Sequence, residues 1–153
     1  MMCLPCVAQD LDPIPDDKME VGLGIHGEPG AAVAPLATAN DAVDTLLATI
    51  LSTEEGRGYL PLAKGAKVAL LVNNLGGCTA LELAIAARRA VATLEDKYGI
   101  AVARCYCGSF MTALDMVGLS LSLLQVRSDA APARPRTHAS RLARLLADAL
   151  VNS

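Results

Sequence analysis

The sequence predicts an α/β fold, with a mixed, mostly parallel sheet of about four or more strands and helices packed on it. Strand patterns and helix patterns alternate along the chain. Apolar residues make up 53% of the 153 residues, yet there is one Phe, three Tyr and no Trp, so the core must consist of aliphatic side chains. A chain of this length forms a single domain that hides roughly 70% of the surface exposed by its unfolded state.

The first strand pattern leads into a glycine-rich loop. After an irregular, Pro- and Asp-rich lead-in over residues 1–18, Val21, Leu23 and Ile25 alternate with two glycines. A period of two is typical of a strand, and the glycines leave one of its faces bare for a close neighbour. His26 stands where this strand breaks into the loop.

A helix and a buried strand are predicted next. Thr38, three residues before Asp41, resembles an N-cap. An apolar stripe at helical spacing follows it: Val43, Leu46, Leu47, Ile50 and Leu51. Residues 67–72 form a nearly continuous apolar run, which is typical of a central strand covered on both faces.

A second helix and a further strand follow. Thr79 and Glu82 form a capping box that predicts the start of the helix, and Gly99 supplies its C-cap. Residues 100–107 predict the next strand. Strand, helix, strand, helix, strand in this order makes two βαβ units, so we expect the first three strands to be parallel.

The elements after this strand are shorter. Residues 108–118 are too few for a full crossover, and we expect a turn of helix around residues 111–116. Residues 119–126 predict a fourth strand, antiparallel to its neighbour. A Pro-, Ala- and Arg-rich linker over residues 127–138 and a terminal helix over residues 139–153 complete the predicted order.

Charge and hydropathy exclude several classes of partner. The formal net charge is −3 and the basic residues are scattered before the C-terminal tail, which argues against nucleic acid as a ligand. There is no apolar stretch long enough to span a bilayer, and the N-terminus lacks the order of a signal peptide. We therefore expect a cytoplasmic protein with no membrane partner.

The five cysteines allow three interpretations, namely a redox pair, a zinc site and buried thiols. Cys3 and Cys6 form a C-x-x-C pair, but no strand pattern precedes it, so a redox motif has little support. A structural zinc site needs a second pair of cysteines at suitable spacing, and Cys105 and Cys107, two residues apart, would point to one face of a strand. Buried thiols in a reducing compartment are the favoured reading.

Three features are candidates for contact with a ligand. The glycines around His26 allow close approach of backbone to a ligand and leave the imidazole uncrowded, although a lone histidine is more often a surface residue. Gly76 and Gly77 precede a helix and could offer amides to a phosphate, but a tight turn also needs glycine and is favoured. Asn73 and Asn74 either line a crevice or close that turn with their side chains.

Two further polar residues carry little functional signal. Asp115 is a lone carboxylate, which is usually a solvated or capping group. His138 lies in the predicted linker without a companion ligand. A Ser-His-Asp site has no nucleophile elbow to support it, so neither residue is assigned a role.

Three separated motifs together resemble the dihydroxyacetone (glycerone) kinase family. They are residues 19–30 (MEVGLGIHGEPG), residues 68–77 (VALLVNNLGG), and residues 108–112 (GSFMT) with 119–124 (LSLSLL). The resemblance covers residues 19–126 and is to the C-terminal lobe of the substrate-binding K domain. It implies that His26 corresponds to the histidine that binds dihydroxyacetone covalently.

The resemblance implies an activity that this chain would share with other components. The activity is ATP-dependent phosphorylation of dihydroxyacetone to its phosphate, in glycerol metabolism, with dihydroxyacetone or another short ketose or aldose held by His26 as a hemiaminal. ATP and Mg are expected in a separate helical domain or subunit, and the acid-base groups in the missing N-terminal half of the K domain. The resemblance leaves open whether the chain forms a homodimer. We expect the chain to be a truncated piece of such a kinase. The alternatives are a non-catalytic ketose-binding regulator and an inactive lobe.

Overall fold

A computed structural model describes residues 2–3, 14–24, 29–53, 60–114 and 116–126. Within these residues the chain forms one six-stranded sheet and two helices. The strands are β1 (Met2–Cys3), β2 (Lys18–Val21), β3 (Ala32–Pro35), β4 (Lys67–Asn74), β5 (Ala101–Gly108) and β6 (Gly118–Val126). The helices are α1 (Ala39–Leu51) and α2 (Ala80–Ala92), and α2 continues into a π-helical turn, Thr93–Lys97.

The strand order across the sheet is β3-β2-β1-β6-β4-β5. The mixed α/β fold is confirmed, but the expectation of a mostly parallel sheet is wrong, because among the described strands only β4 and β5 pair in parallel. The helix α2 supplies the crossover that a parallel pair requires. The first predicted strand instead pairs antiparallel with β3, its next neighbour in the chain. The first three predicted strands are therefore not all parallel.

The N-terminal segment contributes more than the predicted lead-in. Met2–Cys3 forms β1, which lies between β2 and β6 and is antiparallel to both. β2 begins at Lys18 and ends at Val21, so the strand predicted around residues 21–25 lies earlier in the chain than its apolar alternation indicated. A two-residue strand has no readable period, which is why the sequence did not predict β1.

The two helices have the predicted boundaries and caps. The Thr38 hydroxyl accepts the N–H of Asp41, and the predicted stripe of α1 is buried except for the half-buried Ile50. Thr79 and Glu82 form both bonds of the capping box at the start of α2. Gly99 has a φ of +65°, the left-handed conformation that ends a helix. Neither helix is long and apolar enough to cross a bilayer, as far as the described residues extend.

One carboxylate joins the two helices. Asp44 on α1 accepts from Arg89 Nε at 3.0 Å and from Arg89 Nη2 at 2.5 Å, and from the Thr93 hydroxyl at 2.8 Å. The hydrogen bond from Arg89 is the main cause that lowers the pKa of Asp44 below its usual value. This bidentate pair links α1 to α2.

The core lies between the helices and one face of the sheet. Val68, Leu70 and Val72 of β4 are fully buried against apolar side chains of α1 and α2. Their neighbours Ala69 and Leu71 point to the opposite face and are half-buried. The run over residues 67–72 is thus covered by helices on one face within the described residues, rather than on both.

The segment between β5 and β6 is not helical in its described residues, so the turn of helix expected around residues 111–116 is wrong. Its backbone bonds to other elements instead. The Ala113 N–H donates to the Leu75 carbonyl at 2.6 Å, and the Met116 carbonyl accepts the Gly77 N–H at 2.8 Å. These partners replace the local bonds that a helical turn would make. β6 itself is antiparallel to β4, as predicted.

Candidate functional site

The loop that carries His26 connects β2 to β3. The predicted site residue lies outside the described residues, because these stop at Gly24 and resume at Pro29. Both ends of the loop are described: Val21 pairs with Ala32 as the last pair of the ladder, and Leu23 is buried. The structure therefore describes how the base of the loop is built.

A carboxylate closes the base of this loop. The Gly30 N–H donates to Glu20 Oε1, across ten positions of the chain. Gly22 adopts a φ of +82°, which turns the chain out of β2. A Cβ on Gly30 would strike the Glu20 side chain and lie 2.8 Å from the Val21 carbonyl oxygen. Only glycine at position 30 lets the two ends of the loop approach this closely.

Sequence reasoning missed Glu20. Its neighbours Met19 and Val21 are buried, which places Glu20 on the opposite face of β2. A contact between residues ten positions apart has no periodic signature. The nearest available signal was a carboxylate inside a short strand, a position that acidic residues seldom occupy.

β2, the strand that leads into this loop, is antiparallel to β4. One row of paired residues crosses the sheet from β2 to β4: Val21, Met2, Leu119 and Asn74. Three successive antiparallel pairings make β2 antiparallel to β4. The loop after β2 therefore does not follow the carboxyl end of a strand parallel to β4. At about 4.8 Å per strand, Val21 and Asn74 are on the order of 14 Å apart.

Asn73, at the carboxyl end of β4, uses all of its side-chain hydrogen-bonding capacity inside the protein. Its Oδ1 accepts the N–H groups of Phe110 and Met111, both at 2.9 Å. Its Nδ2 donates to the Met111 carbonyl at 2.7 Å and to the Ser120 hydroxyl at 3.2 Å. Two lone pairs and two protons are thus all paired. The side chain fixes the segment after β5 to the end of β4.

Asn74 closes the turn between β4 and α2 in the same way. Its Oδ1 accepts the N–H groups of Gly76 at 2.9 Å and Cys78 at 3.1 Å. Its Nδ2 donates to the Cys78 carbonyl at 3.0 Å and the Ser109 hydroxyl at 3.2 Å. Of the two interpretations of the asparagines, these bonds favour the closing of the turn.

The glycine pair in this turn is structural as well. The Gly76 amide is bound by Asn74, and the Gly77 amide donates to the Met116 carbonyl at 2.8 Å. The Thr79 amide donates to Glu82 Oε2 at 2.7 Å. These bonds occupy the amides of Gly76, Gly77 and Thr79, so the turn before the helix does not offer them to a phosphate. The favoured reading of Gly76 and Gly77 as a tight turn agrees with this geometry.

The described cysteines have the properties of buried thiols. Cys78, Cys105 and Cys107 are free and half-buried. Burial raises the pKa of all three, that of Cys105 to about 12, so their reactive thiolate forms are scarce at neutral pH. Across the described residues, no three His, Cys, Asp or Glu side chains lie together as a metal site would need.

Several sequence predictions lie outside the described residues. They are the roles considered for Cys6, Asp115 and His138, the linker over residues 127–138 and the terminal helix over residues 139–153. The side chain of Cys3 is also outside the description, although its backbone belongs to β1.

The fold is that of the dihydroxyacetone kinases and their relatives. The chain is similar to a dihydroxyacetone kinase operon co-activator, with a TM-score of 0.69 and 28% identity over 83% of this chain and 39% of the other. It is also similar to the dihydroxyacetone kinase of C. freundii in complex with AMP-PNP and Mg²⁺, with a TM-score of 0.66 and 28% identity over 84% of this chain and 23% of that one.

The family follows from the sequence match. The model of the Dak1 domain matches residues 2–141, and the chain belongs to this family. A putative 3,4-dihydroxy-2-butanone kinase of Solanum lycopersicum is 51% identical over 108 residues, and the triokinase/FMN cyclase of Homo sapiens is 44% identical over 110 residues. These matches cover 71% and 72% of the chain but only 18% and 19% of the two relatives. The resemblance to dihydroxyacetone kinases is thereby confirmed.

Proposed function

We propose that this chain is the substrate-binding part of a dihydroxyacetone kinase, which phosphorylates dihydroxyacetone with ATP. The observation that carries the proposal is the 51% identity to a putative kinase of 3,4-dihydroxy-2-butanone, another small hydroxyketone. Kinases named for dihydroxyacetone in yeasts support the same substrate class, with 42% identity for that of Komagataella pastoris. The resemblance assigns substrate binding to His26.

The proposed binding step is addition of the His26 imidazole to the ketone. A neutral ring nitrogen forms a bond to the carbonyl carbon while the C=O π bond opens, and the carbonyl oxygen takes a proton. The ring loses the proton of its other nitrogen, so the hemiaminal is neutral and keeps every atom of the ketone. Glycerol has no carbonyl and is excluded, whereas short ketoses and aldoses can react. The adduct would hold a terminal hydroxyl toward the phosphoryl donor.

ATP and Mg are proposed to come from a separate helical domain or subunit. The occupied amides at Gly76 and Gly77 support this division, because the turn that most resembles a phosphate-binding loop has no free donors. The acid-base groups are proposed to come from the other half of the K domain. On this proposal the chain supplies the anchor for the ketone, and phosphoryl transfer requires the other components.

A regulator is the second candidate function, and one observation favours it. The co-activator of the dihydroxyacetone kinase operon matches with a TM-score of 0.69, similar to that of the kinase. A regulator would bind the ketone through the same histidine without transferring phosphate. Both candidate functions therefore predict the adduct, and they differ in the product.

The first experiment is intact-mass measurement of the full chain with dihydroxyacetone under non-denaturing conditions. The expected result is a gain of one intact ketone without loss of water, absent from His26→Ala and absent with glycerol. No gain in mass, or a gain that His26→Ala retains, would overturn both active functions and leave the inactive lobe.

A second experiment separates the kinase from the regulator. The chain is combined with the other half of a K domain, a helical nucleotide-binding domain of this family and Mg-ATP. Formation of dihydroxyacetone phosphate that depends on His26 supports the kinase. An adduct without any phosphorylated product supports the regulator.

A further inference from the structure

We propose that the face of the sheet opposite the helices binds the other half of the K domain, through an apolar segment of that half that carries a carboxylate for Arg104. The choice of partner rests on the proposed function, because a kinase of this family needs that other half. The surface itself is built from β4, β5 and β6.

Strand pairing defines this surface. The ladder arranges six of its residues in two rows, Leu124–Ala69–Arg104 and Ser122–Leu71–Tyr106. Paired residues point to the same side of a sheet, and the alternate residues of β4 point to the other side and pack against α1 and α2. These six residues are called the open face.

The open face is apolar but lacks a cover among the described residues. Leu124 is 69% exposed, and Leu71 and Tyr106 are only half-buried. β4 and β5 pair in parallel, and parallel strands occur almost only in sheets that are covered on both faces. Of the described elements, the two helices cover one face of this pair. The open face therefore has the position and composition of a surface that becomes buried.

Arg104 gives the open face a specific polar requirement. Its Nη1 donates to the Ala103 carbonyl at 2.7 Å, but its Nε is shielded from solvent and has no hydrogen-bond partner in the described part of the chain. The only salt bridge among those residues joins Arg89 to Asp44. A carboxylate can accept from two guanidinium nitrogens at once, and a shielded donor without a partner is unfavourable. An Asp or Glu side chain on the partner would satisfy Arg104.

Charge favours an occupant from outside this chain. Residues 127–153, which follow β6, contain five Arg and two Asp, so they would bring net positive charge to Arg104. The open face includes no carboxylate, so a second copy bound face to face would offer Arg104 none. The matched region is only 18% and 19% of the Solanum lycopersicum and Homo sapiens relatives. Most of a kinase of this family thus lies outside this region and can supply the cover.

The first measurement is the affinity of the full chain for the half of the K domain that precedes the matched region in the Solanum lycopersicum relative, prepared as a separate chain and titrated calorimetrically. Arg104→Gln is expected to weaken binding about 30-fold, because it leaves the partner's carboxylate buried without its cation. Leu124→Ser is expected to weaken binding about tenfold through lost apolar contact.

Two residues of α2, on the other side of the sheet, provide matched controls. Leu81 is 72% exposed and Arg88 is exposed. Leu81→Ser and Arg88→Gln are expected to bind within about twofold of the native chain. Urea unfolding of all four variants separates a loss of contact from a loss of fold. Binding that is absent in the native chain, or that Arg104→Gln and Leu124→Ser leave unchanged, would overturn the inference.

The second measurement identifies the occupant directly. Leu124 is replaced by photoreactive benzoylphenylalanine, and the cross-linked peptide is identified by mass spectrometry in the mixture of the two halves. The expected product joins position 124 to the other half of the K domain. A product with residues 127–153 of the same chain, a product with a second copy, or no product contradicts the choice of partner.

Failure of this inference and failure of the proposed function have different signatures. His26→Ala is expected to bind the other half as tightly as the native chain does, because the open face does not include His26. Docking without a ketone adduct would therefore count against the proposed function alone. A ketone adduct in a chain that does not dock through the open face would count against the inference alone.

Discussion

Two glycine-rich connections in this chain are built in opposite ways. The turn after β4, residues 75–79, is bound from inside by Asn74, with Asn73 holding the neighbouring segment. The loop after β2 is closed at its base by the Glu20 carboxylate on the Gly30 amide. In the first connection, side-chain bonds occupy backbone amides within the turn itself. In the second, the side-chain bond joins only the two ends of a longer loop.

The difference separates a structural glycine pair from a candidate ligand loop. Both segments have glycine next to polar residues, and both were candidates on sequence grounds. A polar group that already has all of its partners gains nothing from a ligand, because a new bond only replaces an existing one. The satisfied groups at Asn73, Asn74, Gly76 and Gly77 assign that turn to stability. The proposed binding of the ketone is therefore assigned to the loop that carries His26.

The largest expected effect comes from breaking the satisfied turn. Asn73→Ala removes the acceptor of the Phe110 and Met111 amides and the donor to the buried Ser120 hydroxyl. We expect a loss of about 3 kcal/mol in the free energy of unfolding, measured with urea. Asn40→Ala, on the exposed face of α1, is the control and should change stability by less than about 0.5 kcal/mol. A small loss at Asn73 would contradict a structural role.

A smaller effect is expected from Gly76→Ala. Gly76 has a φ of +148°, and a Cβ would strike the Ala113 carbonyl, so both the backbone and the packing oppose a side chain. We expect a loss of about 2 kcal/mol. Gly65→Ala is the matched control, because Gly65 also has a positive φ, +85°, but its Cβ would meet nothing within 4 Å. Equal losses in the two variants would show that packing at the turn contributes nothing.

The smallest expected effect concerns the link between the helices. Arg89 lowers the pKa of Asp44, so this carboxylate stabilises the fold above its unfolded-state pKa of about 3.8, and the contribution is lost as the pH falls through the lower folded value. Asp44→Asn should therefore lose less stability than the native chain between pH 5 and pH 2, as measured by urea unfolding at about unit pH intervals. A curve for Asp44→Asn that runs parallel to that of the native chain would contradict the link.

The sequence predicted the elements whose signals are local. The capping box at Thr79, the N-cap at Thr38 and the stripe of α1 all depend on residues within two turns of a helix. The apolar run of β4 and the antiparallel direction of β6 were likewise readable. With the strand predicted at residues 100–107, the sequence therefore predicted β4, β5 and the helix α2 that connects them.

The other half of the sheet depends on contacts that have no local signal. β1 is two residues long, and β2 was expected to be parallel to β4 because a helix pattern stood between them in the sequence. The chain instead places β3 next to β2 before α1 begins. Glu20 was missed for the same reason, since its partner Gly30 is recognisable only once the two ends of the loop are brought together.

The most direct test of the account is carbon NMR of the full chain with dihydroxyacetone labelled with ¹³C at its carbonyl carbon. The account predicts a new hemiaminal carbon signal that correlates with an imidazole nitrogen, is absent from His26→Ala, and persists in Asn40→Ala. If the native chain leaves only the signals of free ketone and its hydrate, or if His26→Ala gives the same new signal, the assignment of the ketone to the His26 loop is wrong.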